Sequence, residues 1–169
     1  MTAAAQFPLH RAVQGVVDAP IEAVFDHLDN PRHLADHMAS PSAMMAGSSM
    51  SIETDERAGR TIGSRISMRG RMLGLTLSLD EAVTEREPPR HKAWQTLGQP
   101  RLVVMAGYRM GLDLEPLQSQ TRLQVWIDYA LPPGFWARML GRWLAGTYAN
   151  WCLEQMLRGT QRHFARPAA

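Results

Sequence analysis

The hydrophobic period of the chain switches near its end, and that switch decides what it can fold into. From about Ala43 to Leu131 the period is two. Ile66, Met68 and Met72 alternate with Arg65, Ser67, Arg69 and Arg71; Leu73, Leu75, Leu77 and Leu79 alternate with Gly74, Thr76 and Ser78. Tyr108, Met110, Leu112 and Leu114 alternate with Arg109, Gly111, Asp113 and Glu115, and Leu123, Val125, Ile127, Tyr129 and Leu131 with Arg122, Gln124, Trp126 and Asp128. Such alternation predicts an antiparallel sheet with one buried and one wet face. Breaks at Ala58-Gly59, Gly70–Gly74, Pro88-Pro89, Gln99-Pro100 and Pro116–Ser119 divide this region into about six strands. After Pro132-Pro133-Gly134 the pattern turns helical from Phe135 to about His163. On a helical wheel Trp136, Leu140, Trp143, Leu144, Thr147 and Trp151 form one stripe, widened by Ala145, Tyr148, Cys152 and Met156. A helix this apolar must be covered by protein, and the apolar face of the sheet is what can cover it.

Ahead of the alternating region stand a strand, Leu9–Val17, and two short helical segments. Pro20 is expected to open the first, where its missing N–H costs nothing, and Ile21, Val24, Phe25 and Leu28 fall on one helical face. Asn30-Pro31 gives a second start signal, with Asn as cap, for a helix over about Pro31–Met38. At 169 residues and 18.9 kDa, with neither linker nor repeat, the chain reads as one domain spanning 1–169. The architecture expected is α+β: a curved antiparallel sheet of about seven strands around a long C-terminal helix. Where such a sheet stands off its helix, an apolar cavity with a few orienting polar groups remains.

Several function classes are excluded or weakened. A net charge of +2 is too mild for a nucleic-acid binder, and no aromatic platform interleaves with Arg57, Arg60, Arg65, Arg69 and Arg71, which read as a solvated face. The single cysteine, Cys152, rules out an internal disulfide and lies in the apolar helix, where a thiol behaves as a small hydrophobe. His33 and His37 have the i, i+4 spacing of a metal pair but lack a third ligand, so no metal and no cofactor are expected. Nucleophile elbows and phosphate loops are missing. The opening MTAAAQFPLHRAV has no basic segment followed by an apolar run, and no span of 18 apolar residues occurs, so a cytoplasmic location is expected.

The phrase Val17-Asp18-Ala19-Pro20-Ile21-Glu22-Ala23-Val24-Phe25 resembles the opening of START-like proteins with the Bet v 1 helix-grip fold, the polyketide cyclase/dehydrase and lipid transport superfamily (SRPBCC). Asn30-Pro31 fits the same pattern, as does Val83-Thr84-Glu85-Arg86-Glu87-Pro88-Pro89-Arg90 before a strand containing Trp94. Ala35-Asp36-His37-Met38 departs from it, since many relatives carry a Trp there. The resemblance implies a helix-grip fold that binds hydrophobic small molecules, sometimes with cyclase or aromatase activity. It transfers no catalytic residue.

The first reading is a protein that holds a lipid- or polyketide-like ligand between sheet and helix. Adaptable methionines and buried tyrosine hydroxyls suit that role, and the expected lining is Met68, Tyr108, Met110, Leu112, Tyr129, Tyr148 and Cys152. An enzyme of the cyclase/dehydrase type is the alternative. It would need an inward-facing acid and base, whereas Asp113, Glu115 and Asp128 alternate outward. A protein-interaction module is the second alternative and would show an exposed apolar patch. Five arginines against one acid after Phe135 suit the negative end of the helix dipole. The same arginines beside Trp136, Trp143 and Trp151 also suit transient contact with an anionic membrane surface.

Overall fold

The computed structural model describes residues 6–33, 49–72, 75–102, 105–133 and 135–165. Its elements are β1 (Leu9–Val17), α1 (Ile21–Leu28), β2 (Ser49–Thr54), β3 (Arg65–Met72), β4 (Leu75–Glu87), β5 (His91–Arg101), β6 (Gly107–Leu117), β7 (Gln120–Ala130) and α2 (Phe135–Phe164). The seven strands form one antiparallel sheet in the order β1-β7-β6-β5-β4-β3-β2. Strands β2 to β7 are a meander, while β1 pairs with the last strand, from Leu9↔Tyr129 to Val17↔Thr121. This is the helix-grip architecture that the period switch predicts.

Pro20 sits one position earlier than expected. It is the N-cap of α1, extended at φ −60° and ψ 150°, and its carbonyl accepts the Val24 N–H at 3.1 Å. Proline serves there because the cap residue has non-helical backbone angles that its ring allows. Asn30 does cap as expected, its Oδ1 accepting the Arg32 N–H at 3.1 Å, and residues 31–33 are helical. The rest of the second short helix, His37 included, lies outside the described residues. Strand β5 runs through the break expected at Gln99-Pro100. It pairs with β6 only as far as Gln95, so beyond that point β4 alone demands backbone donors and a proline is tolerated.

Helix α2 rests on β1 and β7. Its buried face is Ala145, Ala149, Leu153, Met156 and Leu157, whereas Leu144 is 51% exposed and Thr147 is exposed. The stripe read from the wheel is therefore rotated toward its margin. At Ala145 and Ala149 small side chains let the helix come close to the sheet, while Leu153, Met156 and Leu157 fill the contact further along. A Cβ built at Gly15 of β1 would meet Leu157 at 3.1 Å, so the helix presses on the strand itself there. The side chains of Trp136, Leu140 and Trp143 lie outside the described ones.

A buried ionic cluster ties α1 to the sheet. Asp29, at the C-cap of α1, is 3% exposed and Lys92 of β5 is 1% exposed. The Lys92 ammonium donates to Asp29 Oδ1 at 2.8 Å and to its carbonyl at 2.7 Å, and Arg86 of β4 donates to Oδ2 at 2.8 Å and Oδ1 at 3.2 Å. Burial opposes ionisation of Asp29, but the two cations outweigh it and hold its carboxyl below the ordinary range. Burial likewise lowers Lys92, against the pull of Asp29. Removing one partner should therefore cost more than its net attraction. Asp29→Ala, which strands the ammonium, is expected to cost about 3–5 kcal/mol in urea denaturation, and Lys92→Met less than half of that, because Arg86 still serves Asp29.

Candidate functional site

Strand β4 buries Leu77, Leu79, Glu81 and Val83 by simple alternation. An acid thus occupies a core position, 1% exposed. The Tyr108 hydroxyl of β6 donates to Glu81 Oε1, and Trp94 of β5 stands within hydrogen-bonding reach of the carboxyl. Glu81 Oε2 has no hydrogen-bond partner among the described residues. Tyr108 is fixed from behind: its N–H donates to Thr96 Oγ1 at 3.1 Å, and the Thr96 hydroxyl lies 3.2 Å from its carbonyl. Burial pushes the Glu81 carboxyl up to about 7, against the opposing effects of Tyr108, Trp94 and Lys92. The Tyr108 hydroxyl is raised as well, by burial first and then by the Glu81 charge.

On α2, Tyr148 and Cys152 stand one turn apart, close enough for each to shift the other's proton affinity. Burial raises both, Cys152 to about 12, so the thiol stays protonated at neutral pH and is a poor nucleophile. Tyr148 and Cys152 both add to the upward shift of the Tyr108 hydroxyl, so the three groups share one region of the interior. Tyr108, Tyr148 and Cys152 are surrounded by protein yet keep some accessible surface, as residues on the wall of a concave space do.

The packing around them is split. One apolar cluster joins α1, α2 and strands β5 to β7; a smaller one holds Ile66, Met68, Leu79 and Val83 of β3 and β4. Leu102 and Tyr108 touch both. The Glu81–Tyr108 pair therefore stands at the junction between two cores, on the half of the sheet that α2 does not cover closely.

Of the residues expected from sequence to line a cavity, the structure brings Tyr108, Tyr148 and Cys152 together. Met68 belongs to the smaller cluster beside them. Met110, Leu112 and Tyr129 pack in the larger one, Leu112 and Tyr129 at 0% and 1% exposure. The Tyr129 hydroxyl lies 3.6 Å from where a Cβ on Gly146 would be, directly beneath α2. Glu81 is the residue that sequence reading missed, and it corrects the expectation that no acid faces inward. The alternation through Leu77 and Leu79, followed two residues further, reaches it. Asp113, Glu115 and Asp128 do lie on the outer face, paired with His91 and Trp126, Arg122 and His10. On that face Arg69 bonds Ser78 and approaches Asp80 at 3.4 Å.

His33 takes part in a stack of histidine rings. The His27 ring lies between those of His33 and His163, at 4.5 and 4.0 Å, and His33 Nδ1 is 2.9 Å from the His27 carbonyl oxygen. Burial, then the neighbouring imidazoles, push His27 down to about 4. Among the described residues no three His, Cys, Asp or Glu side chains are arranged to hold a metal ion.

The chain belongs to the polyketide cyclase/dehydrase and lipid transport family, whose model matches residues 10–165. Comparison with curated proteins by sequence finds no match. Among solved structures, the Zhui aromatase/cyclase from Streptomyces sp. R1128 is similar at 15% identity and a TM-score of 0.64, covering 91% of this chain and 94% of that one. A conserved protein from Geobacillus kaustophilus is similar at 16% identity and a TM-score of 0.65, with 93% and 95% covered. Ara h 8.0201 matches at 11% identity and a TM-score of 0.54, with 89% and 98% covered. At these identities the likeness concerns the fold.

Glu81 and His27 push the pH dependence of stability in opposite directions. Glu81 binds its proton more tightly folded than unfolded, so its contribution is full below the ordinary carboxyl value and is lost as pH rises toward 7. His27 holds its proton less tightly when folded, so its contribution grows as pH rises from about 4 to 6.5. Glu81→Gln removes the first effect. Its stability relative to wild type is expected to increase by on the order of 3 kcal/mol between about pH 4.5 and pH 8, measured by urea denaturation. A constant difference across that range would contradict a buried Glu81.

Proposed function

We propose that this protein binds an apolar or amphipathic small molecule, lipid- or polyketide-like, in the space between the sheet and α2. The ligand's polar group meets Tyr108, with Glu81 behind it. The observation that carries this reading is the split core with a buried, half-satisfied carboxyl at its junction. A domain built only for stability gains nothing from an acid there, since burying a polar group without full hydrogen bonding costs about 1–3 kcal/mol. Membership of a family that includes lipid transport and cyclase/dehydrase proteins supports the reading. Met68, Tyr108, Met110, Leu112, Tyr129, Tyr148 and Cys152 remain the proposed lining, to which Glu81 and Trp94 are added.

Catalysis of the cyclase/dehydrase type is the second reading, and Glu81 is what favours it. A carboxyl brought to about 7 by burial has the affinity that general acid–base catalysis at neutral pH requires. The similar protein from Streptomyces is itself an aromatase/cyclase, which agrees with that chemistry. The interaction-module alternative draws less support, because the large apolar residues exposed among the described ones, Val16, Ile62 and Leu144, come from three separate parts of the chain.

No helix among the described residues is long and apolar enough to cross a membrane. Work in the cytoplasm, with brief contact at membrane surfaces through exposed Arg158 and Arg162, is part of the proposal.

Native mass spectrometry of freshly purified protein tests the reading, with an apolar small molecule expected to co-purify. A cavity-filling variant localises it. Cys152→Trp is expected to weaken binding of a hydrophobic probe dye by tenfold or more while circular dichroism stays native, since an indole would occupy the space beside Tyr148 and Tyr108. Unchanged dye affinity in a folded variant would move the binding site elsewhere.

A further inference from the structure

We propose that Glu81 and Tyr108 act as a proton-dependent selector of the ligand's polar group, accepting a hydroxyl when Glu81 is ionised and a ketone carbonyl when it is protonated. This rests on the ligand-binding reading above and specifies the chemistry of that same site.

The geometry offers two states. Tyr108 is the member of the pair with accessible surface, and Glu81 lies behind it. When Glu81 is ionised it can only accept, so the Tyr108 O–H is committed to Glu81 Oε1. The Tyr108 oxygen then shows only lone pairs to the interior and can bond a ligand O–H. When Glu81 carries a proton, its own O–H can donate to the Tyr108 oxygen. The Tyr108 hydrogen is released and can turn toward a ligand carbonyl. A single proton on the buried carboxyl thus reverses the polarity of a hydroxyl that remains neutral in both states.

The surroundings leave this change to Glu81. From β5 it faces Trp94, which has no titration of its own, and Lys92, whose ammonium is bonded to Asp29. From β6 it faces Tyr108, and from α2 the neighbours of that tyrosine are Tyr148 and Cys152. Burial raises all three of these hydroxyl and thiol groups, so they stay protonated at neutral pH. The carboxyl, brought to about 7, is the member of the set that changes state near neutrality. The tyrosines, the indole and the thiol are neutral donors or acceptors throughout, so the discrimination follows Glu81.

Three naphthalene probes of nearly equal size test this: 2-naphthol, 2-acetonaphthone and 2-ethylnaphthalene. Each is titrated against wild type, Glu81→Gln and Tyr108→Phe by tryptophan fluorescence at about pH 5.5 and about pH 8. Wild type is expected to shift its preference from the ketone to the naphthol by about tenfold between the two pH values, the worth of one hydrogen bond. Both variants are expected to lose that pH-dependent shift, Glu81→Gln because its amide does not titrate and Tyr108→Phe because the responding hydroxyl is gone. The His27, His33 and His163 stack is shared by all three proteins, so a pH effect from it would persist in the variants. A wild-type preference that is the same at both pH values overturns the inference, as does a shift that survives in either variant. Ethylnaphthalene has no polar group and separates the two proposals. If it binds while selection is absent, only the selector falls. If no probe binds to wild type, the ligand-binding reading falls and the selector with it.

Discussion

Everything distinctive about the interior follows from how closely α2 can sit on one side of the sheet. Alanines at 145 and 149 and the bare backbone of Gly15 let the helix press against β1 and β7. A rigid helix lying that close to one edge of a twisted sheet must diverge from the other. The strands that curve away, β3 and β4, pack their own small cluster of Ile66, Met68, Leu79 and Val83. Leu102 and Tyr108 bridge the two clusters, and Tyr148 and Cys152 lie half-buried on α2 at the margin of the larger one, amphipathic or soft groups that tolerate a change of neighbour.

The ionic cluster supports this division from the other end. Asp29 closes α1 and receives Lys92 and Arg86, so one short helix is fastened to β5 and β4 by charged hydrogen bonds. Such a bond fixes position at little net gain in stability, since desolvating two ions consumes most of their attraction. Its consequence for the site is indirect but real. Lys92 is committed to Asp29 and is left as a minor influence on Glu81, whose burial then dominates. One buried acid is fully compensated and stays ionised; the other is not, and sits near neutrality.

Much of the fold is legible in the sequence because its signals are periodic. Strands β3, β6 and β7 follow the alternation, and the helix after Pro132-Pro133-Gly134 follows its loss. The errors are of a different kind. The wheel for α2 centres its stripe on Leu144 and Thr147 with Ala145 at the margin, while the true contact runs through Ala145 and Ala149. Pro20 lies one residue from its expected place, since a proline suits both the cap and the first helical position. The site is only partly legible. Tyr108, Tyr148 and Cys152 can be assigned to inner faces by period alone. Whether Leu112 and Tyr129 meet a cavity or a neighbour depends on where the helix rests, which no local pattern encodes. Glu81 escapes notice because an acid interrupts the apolar alternation between Leu79 and Val83, whereas β4 carries its inward face straight through it to Glu87.

The central claim is that Glu81 is a buried carboxyl at the wall of a ligand site. Carbon-13 NMR of glutamate side-chain carboxyls, with Glu81 assigned by the Glu81→Gln spectrum, tests it most directly. The account predicts one carboxyl titrating near pH 7, apart from the ordinary group, whose midpoint moves when 2-acetonaphthone is bound. A Glu81 that titrates with the surface glutamates, or one whose midpoint ignores a bound probe, would contradict it.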